Sequence, residues 1–153
     1  GIPFIFDPSQ GLPMFDGEQL DCFIDQANWL TVNDYEWEMV TSKTGRTLAE
    51  IGQRLDAVII TRGAQGSVIH TGGKTHEIPP ARPACHEDPT GAGDAYRVGL
   101  LYGLMNGLDW ETTGRCASLM GCLAIEHHGT QNHRVTIDEF KERFADSFGR
   151  SLD

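Results

Sequence analysis

The amino-acid sequence predicts an α/β protein in which a mostly parallel sheet is flanked by helices. Three short apolar runs, which begin at Ile2, Trp29 and Ala57, have the character of buried strands, and helix-compatible segments separate them. A strand, a helix and a second strand in that order form the unit from which parallel sheets are built. With 153 residues, 39% of them hydrophobic, the chain has enough apolar material for a folded core.

The first half of the chain contains this unit. Residues 17–27 place Leu20, Phe23 and Ile24 on one face, which predicts an amphipathic helix. The run at residues 29–32 then returns as the second strand.

The next segment predicts a short helix, a third strand and a hairpin. Residues 47–55 align leucine and isoleucine on one helical face, and residues 57–60 form a third buried strand. Residues 67–70 and 75–78 alternate in polarity on either side of Gly72-Gly73, which predicts two antiparallel strands and a tight turn.

The last third of the chain predicts three helices. The first runs from Ala92 to about Asn106, and Asp109 is placed to cap the second. The segment Thr136-Ile-Asp-Glu139 has the pattern of a capping box that opens the third helix. Small residues recur every fourth position in the long helix, which favours close approach of a neighbouring helix; they are Gly99, Gly103 and Gly107.

Charge and cysteine usage limit the function classes. The formal net charge of −10 disfavours a nucleic-acid partner, so any bound phosphate must rely on local amides, metal ions and a few cations. No run approaches the roughly 18 apolar residues of a membrane span, and the first residues lack the pattern of a secretion signal. The four cysteines form no Cys-x-x-Cys pair, so we expect reduced thiols and a cytoplasmic protein.

The stretch from Asp88 to Asp94 is the strongest candidate for chemistry. Gly91 and Gly93 allow backbone conformations closed to other residues and leave their amides uncovered. The first free N–H groups of the long helix would point out of the turn Gly91-Ala92-Gly93, which predicts a small anion-binding nest. Asp94 falls in the first helical turn, where a carboxylate could accept a proton from a hydroxyl held against that nest. A simpler alternative is that Asp94 complements the helix dipole and the glycines only turn the chain.

The segment Asp88-Pro-Thr-Gly-Ala-Gly-Asp94, followed by Ala95, Val98 and Gly99, resembles the C-terminal signature of the ribokinase-like (PfkB) carbohydrate and nucleoside kinases. The variant with Tyr96-Arg97 is similar to bacterial adenosine-kinase-like members.

Two further segments resemble family motifs in the same order along the chain. Asn33-Asp-Tyr-Glu36 is similar to the Asn-x-x-Glu motif, although a capping box explains the same residues. Thr61-Arg-Gly-Ala-Gln-Gly66 is similar to the family's Thr-x-Gly-x-x-Gly segment, although a glycine turn into the hairpin explains it as well. Each alternative stays open for a motif taken alone.

The resemblance implies an ATP-dependent kinase that phosphorylates a primary hydroxyl of a sugar or nucleoside, with Asp94 as the general base. It implies that the amides of Gly91, Ala92 and Gly93 hold the migrating phosphoryl group. Mg²⁺ would be organised through water near Glu36 and Asn33, and a potassium ion would sit near Asp88 and Thr90.

The resemblance also implies where the nucleotide binds. The nucleotide-binding residues that it assigns are Asn33, Glu36, Thr61, Gly63, Gly66, Gly129 and Asn132. The last two belong to Glu126–His133, which resembles the stretch that walls the adenine pocket and contributes carbonyls to a monovalent-cation site.

The similarity covers roughly residues 1–145, and the family's enzymes are longer than this chain. Residues 1–153 are therefore expected to be the C-terminal nucleotide-binding and catalytic portion of a ribokinase-like domain, with the lid and the N-terminal half absent. The isolated chain should lack turnover and self-associate, because a truncated parallel sheet exposes an unpaired edge. The expected partners are ATP and a small sugar or nucleoside, without nucleic acid or membrane, and a homodimer is compatible with the resemblance.

Two other functions stay open. The first is a catalytically incomplete nucleotide-binding or assembly module derived from the same fold, because the chain lacks the half that carries the family's substrate motif. The second is an enzyme of unrelated chemistry on a similar α/β scaffold, since a fold does not determine a function.

Overall fold

The computed structural model of the chain describes residues 1–152, which form an α/β fold. Five strands make one sheet in the order β1-β2-β3-β4-β5: β1 (Ile5–Phe6), β2 (Trp29–Asn33), β3 (Ala57–Thr61), β4 (Ser67–Thr71) and β5 (Lys74–Ile78). The described α-helices are α1 (Gly17–Gln26), α2 (Asp34–Thr44), α3 (Leu48–Gly52), α4 (Ala92–Met105), α5 (Trp110–Ile125) and α6 (Ile137–Phe148). Two 3-10 helices span Ser9–Met14 and Gly63–Gln65.

The sheet is mixed, with a parallel part and an antiparallel part. β1 pairs with β2 and β2 with β3 in parallel, which confirms the predicted parallel unit. β4 runs antiparallel to β3. Only residues 62–66 connect β3 to β4, and a parallel pairing would need a crossover of a dozen or more residues.

The chain folds into two compact units. The first contains residues 1–63 and 67–77, and its core lies around the two buried parallel strands. Three of the five residues of β2 and four of the five residues of β3 are buried, as is usual for parallel strands covered on both faces. The largest fully buried side chains of this core are Leu12, Leu20, Ile24, Leu30, Val32 and Ile51.

Two predicted elements of this unit are shorter than the sequence pattern suggests. β1 contains only Ile5 and Phe6, and the residues before it are exposed, with Ile2 at 91%. The helix predicted over residues 47–55 ends at Gly52, because glycine is a poor helix former and the chain turns immediately afterwards.

The second unit contains residues 64–66 and the chain from residue 78 onward, and α4 packs closely against α5 there. A Cβ atom on Gly99 would lie 2.6 Å from the Cα atom of Ala117, and one on Gly103 would lie 2.5 Å from Oγ1 of Thr113. Both glycines are therefore needed for this helix contact, as predicted. The inclusion of Gly107 is wrong: it follows the end of α4 with φ +65° and has nothing near its Cβ position.

A second core lies between α5 and α6, and it includes two of the four cysteines. Cys116 and Cys122 pack with Leu119, Phe140 and Phe144. Burial raises the pKa of each thiol to about 11, so both stay protonated at neutral pH. All four cysteines of the chain are free.

Among the helices of residues 1–152, none combines the length and the apolar character needed to cross a bilayer.

Candidate functional site

Two candidate residues of the first unit meet at the carboxyl ends of neighbouring parallel strands. Asn33 ends β2, Thr61 ends β3, and their Cα atoms are partners in the sheet register. The Thr61 hydroxyl donates to the carbonyl oxygen of Val32 at 3.5 Å. Open α/β sheets bind ligands at this edge.

The Asn33 side chain starts α2 through a reciprocal cap. Its Oδ1 accepts the N–H of Glu36 at 2.7 Å, and Oε2 of Glu36 accepts the N–H of Asn33 at 2.8 Å. The predicted capping box is confirmed. It fixes Glu36 at the head of α2 and uses only one of its two carboxylate oxygens.

Gly63 belongs to the same unit and follows β3. Its φ is +54°, a left-handed conformation that favours glycine, and the short 3-10 helix begins at this residue. Gly63 therefore has a structural reason to be glycine.

Gly66 belongs to the second unit and has φ +84°. A Cβ atom there would collide with the carbonyl oxygen of Ile78 and would lie 3.0 Å from the nitrogen of Pro80. Both the conformation and the close packing of the backbone exclude a side chain at this position.

Asp88 joins two loops of the second unit through its carboxylate. Oδ1 accepts the amide of Thr90 at 2.9 Å, and Oδ2 accepts the amide of Gly129 at 2.9 Å. Hydrogen bonds from Thr90 and Gly129 lower the pKa of Asp88 to about 2, so the group is an anion at neutral pH.

Backbone contacts hold the same loop against the end of α5. The amides of Glu87 and Asp88 both donate to the carbonyl oxygen of Ile125, at 2.9 and 3.2 Å. Gly91 has φ +82°, and a Cβ atom on it would lie 3.0 Å from the Cα atom of Thr130. Gly91 is thus required both for the turn and for the close approach of the two loops.

The N-terminus of α4 differs from the other described α-helices. Gly91 is its N-cap, and no capping side chain accepts a hydrogen bond from the first amides of the helix. The amide of Ala92 donates to the carbonyl oxygen of Pro89 at 3.2 Å. The other five described α-helices each have a side-chain cap, from Asp16, Asn33, Thr47, Asp109 and Thr136.

The expectation that Gly93 needs a special backbone conformation is wrong. Gly93 lies within α4 without a positive φ, and the nearest atom to a Cβ built on it is Nη1 of Arg97 at 3.7 Å. Its lack of a side chain leaves open space at the start of the helix.

Asp94 occupies the first turn of α4, and 72% of its side chain is exposed. Its Oδ1 is ion-paired with Arg97, one turn further along the helix. This pair was not among the predicted site residues, although aspartate and arginine three residues apart on a helix are a recognisable signal.

The loop after α5 is closed by its own polar groups. Asn132 donates from Nδ2 to the carbonyl oxygen of His128 at 2.6 Å, and Gly129 between them has φ +81°. Nε2 of His128 lies 3.4 Å from Oε2 of Glu87. Gly129 lies beside Asp88, whose carboxylate accepts its amide, and Nδ2 of Asn132 is 3.1 Å from the position that a Cβ atom on Gly129 would occupy.

Glu126 and Arg143 form a partly buried ion pair that the sequence analysis missed. Arg143 donates to Oε2 at 3.1 Å and to Oε1 at 2.5 Å, while the amide of Ala84 donates to Oε1 at 2.8 Å. Burial raises the pKa of Glu126, but the hydrogen bonds from Arg143 and Ala84 outweigh it and leave the pKa below its ordinary value. Through the Ala84 amide, Glu126 also fixes the segment that leads toward Asp88, and the 17-residue separation of Glu126 and Arg143 leaves no local sequence signal.

Among the described residues, no group of three or more His, Cys, Asp and Glu side chains could hold a metal ion.

Comparison with known proteins identifies the family. The model for the pfkB family carbohydrate kinases matches residues 3–137. A nucleoside kinase from Methanocaldococcus jannaschii is 37% identical over 138 residues, which cover 90% of this chain and 46% of that protein. Its crystal structure superposes with a TM-score of 0.91 at 35% identity, over 94% of this chain and 48% of that chain.

The nucleoside kinase of Burkholderia thailandensis, solved in complex with inosine, is also similar. It is 50% identical with a TM-score of 0.97, over 99% of this chain and 51% of that chain. The chain spans about half the length of the relatives it matches. On the family match, the strand order and the shared fold, the chain belongs to the PfkB family of carbohydrate kinases.

Proposed function

We propose that residues 1–153 form the C-terminal, nucleotide-binding and catalytic portion of an ATP-dependent kinase that phosphorylates a primary hydroxyl of a nucleoside or sugar. The observation that carries the proposal is the start of α4, where uncapped amides and an exposed carboxylate, Asp94, occupy the same helical turn. Family membership gives this arrangement its chemical meaning.

The amides of Gly91, Ala92 and Gly93 hold the migrating phosphoryl group. Three features support this role: the left-handed N-cap at Gly91, the absence of a side-chain cap and the open space at Gly93. The amide of Ala92 contributes once its 3.2 Å bond to Pro89 is exchanged for a phosphate oxygen. Amides at a helix N-terminus bind anions, and the helix dipole adds to the attraction.

Asp94 acts as the general base. It accepts the proton of the acceptor hydroxyl while that oxygen forms a bond to the γ-phosphorus of ATP, and the bond from this phosphorus to the bridging oxygen of ADP breaks. Because Arg97 pairs with Oδ1, we assign proton acceptance to Oδ2. The contribution of the chain is mainly the positioning of these groups and the stabilisation of charge.

Asn33 and Glu36 organise the metal ion that accompanies ATP. When bound, Mg²⁺ neutralises the negative charge that develops on the phosphates. Glu36 uses Oε2 in its cap, which leaves Oε1 for a metal-bound water molecule. Thr61, Gly63 and Gly66 approach the phosphates and ribose.

The loop that contains Gly129 and Asn132 would wall the adenine base, and its carbonyl oxygens, together with Asp88 and Thr90, would hold a potassium ion. The depressed pKa of Asp88, about 2, supports this role because it keeps a negative oxygen ligand available at neutral pH. Potassium binding would also hold together the two loops that Asp88 connects.

Of the two substrate classes, we propose a nucleoside first. The similar protein from Burkholderia thailandensis has been solved in complex with inosine and with ADP-inosine, and the part of it that this chain matches is 50% identical. A sugar is the second substrate class, because the family model describes carbohydrate kinases.

Phosphoryl transfer from ATP to inosine or ribose tests the proposal. The assay uses a polypeptide in which this chain is joined to the half of the Burkholderia thailandensis enzyme that it does not match. Formation of ADP and a phosphorylated acceptor supports the proposal. Binding of Mg·ATP without transfer would favour the catalytically incomplete nucleotide-binding module, and the absence of both would contradict a kinase role.

A further inference from the structure

The part of α4 from Val98 to Met105 is apolar on both sides, although this chain covers only one of them. Its buried residues, which include Ala95, Gly99, Leu100 and Gly103, lie on one side. From residue 98 to its end at Met105 the helix contains no charged or amide side chain. Helices that are hydrophobic on all sides are normally buried on all sides.

The uncovered side of α4 forms a continuous stripe. The exposed fractions are 55% for Val98, 44% for Leu101, 39% for Tyr102 and 83% for Met105. Their spacing of three, four and seven residues places them on one face of the helix, where an amphipathic helix has its buried surface. We call these four residues the α4 stripe.

A groove adjoins the stripe and extends the apolar surface. Its volume is about 270 Å³, and its lining includes Val98, Tyr102, Met120, Val135, Ile137 and Phe140. Ile137, at the start of α6, is itself 53% exposed. A groove of this kind accepts a bulky apolar side chain from a partner surface, as the central pockets of protein interfaces do.

The nearby helix α6 shows how an exposed helix of this chain is normally built. It buries Phe140 and Phe144 and presents charged residues to solvent, including Asp138, Lys141 and Glu142. The α4 stripe has no such residues. Large contiguous apolar patches on a protein surface are usually interaction sites.

We infer that the α4 stripe and its groove pack against the part of the PfkB fold that these 153 residues do not cover. The relatives are about twice as long as this chain. Alignments that include 90% and 99% of this chain cover only 46% of one nucleoside kinase and 51% of another. The missing half must present aliphatic or aromatic side chains, because a charged partner would be desolvated against the stripe without an ion-pair partner. The stripe is an internal packing surface of the complete fold.

Cysteine labelling tests this occupant site by site. Cys22 and Cys85 are exposed and are first replaced by serine, while Cys116 and Cys122 are buried. Leu101→Cys and Met105→Cys then probe the stripe, and Lys141→Cys on the charged face of α6 is the matched control. Maleimide labelling is measured by peptide mass spectrometry in the isolated chain and in the polypeptide that carries the remaining half of the Burkholderia thailandensis enzyme.

Because we expect the isolated chain to self-associate, it is labelled at a concentration at which light scattering shows a monomer, and all three cysteines should then react. In the joined polypeptide the two stripe cysteines should react at least about tenfold more slowly, as burial under a stable interface requires, while Lys141→Cys should be unchanged. Equal labelling of the stripe in both proteins would overturn the inference. Protection in the joined polypeptide that disappears on dilution, together with a dimer in light scattering, would show that a second copy covers the stripe and would also overturn it.

A second variant keeps the inference testable if the joined polypeptide does not fold. The double substitution Leu101→Lys and Met105→Lys should leave the melting temperature of the isolated chain unchanged and should reduce its binding of a hydrophobic dye, because both side chains are exposed there. A clearly lower melting temperature in the double variant than in the wild type would mean that the stripe is already packed within this chain, which contradicts the inference.

Discussion

The Asp88 carboxylate accepts the amide of Gly129 at 2.9 Å and so connects the loop before α4 with the loop after α5. The same carboxylate accepts the amide of Thr90, also at 2.9 Å. One side chain thus sets the positions of two candidate binding segments, and its ionisation state should determine whether they stay in place.

Asp88→Asn should lower the melting temperature at neutral pH. The folded pKa of Asp88 is about 2, below its ordinary value of 3.8, so the folded state holds this proton less tightly than the unfolded state. The stabilisation is therefore fully present above pH 3.8 and is lost as the pH falls toward about 2. Thermal unfolding of wild type and variant across this range should show a difference that narrows on acidification.

Asp138→Asn is the control for this experiment, because Asp138 is an exposed residue in the first turn of α6. Its effect should be small at every pH. A difference between wild type and Asp88→Asn that does not depend on pH would contradict the assigned role of the Asp88 charge.

Substitutions at Gly91 and Gly93 should have different effects, the first on stability and the second on nucleotide binding. Gly91→Ala should cost about 1–3 kcal/mol, because φ is +82° and the new methyl group would press on Thr130. Gly93→Val should keep the melting temperature close to that of wild type, since Gly93 has an ordinary helical backbone, but should weaken Mg·ATP binding by about tenfold or more. Thermal melts and titration calorimetry measure the two effects.

Gly73→Ala is the control for both substitutions, because Gly73 has φ +74° with nothing near its Cβ position. Gly73→Ala measures the cost of a side chain at positive φ without the cost of a steric contact, and it should not affect nucleotide binding. Unchanged Mg·ATP affinity in Gly93→Val would mean that the start of α4 is structural only.

Glu126→Ala should destabilise the fold by about 1–3 kcal/mol, because the substitution leaves the Ala84 amide and the Arg143 guanidinium without their acceptor. For a chain of this size the melting temperature should fall by roughly 2–12 °C. Glu142→Ala, on the exposed face of α6, should stay within about 0.5 kcal/mol of wild type. If urea unfolding shows a similar decrease in the free energy of unfolding for both variants, the Glu126–Arg143 pair has no special role in stability.

Local signals predicted much of this structure. The capping boxes at Asn33 and Thr136 and the helix cap at Asp109 depend on residues within one turn, so the sequence contains all the information they need. Gly99 and Gly103 were predictable for a similar reason, because small residues at helical spacing favour close helix contact.

The features that were missed depend on the folded chain. Glu126 meets Arg143 only after α5 and α6 pack together, and Gly129 meets Asp88 across 41 residues. Gly91 and Gly93 look equivalent in the sequence, but only Gly91 adopts a left-handed conformation. The apolar run from Val98 to Met105 was visible in the sequence, yet its uncovered face became evident only when the structure showed which side α5 occupies.

The most direct test of the proposed function is the rate of phosphoryl transfer by Asp94→Asn. The variant and the wild type are compared in the joined polypeptide with ATP and inosine, and Asp138→Asn serves as the control. We expect Mg·ATP affinity and melting temperature to stay close to wild type, because most of the Asp94 side chain is exposed, while transfer falls by about 10²–10⁴. Transfer within about threefold of wild type would exclude Asp94 as the general base and contradict the proposed mechanism.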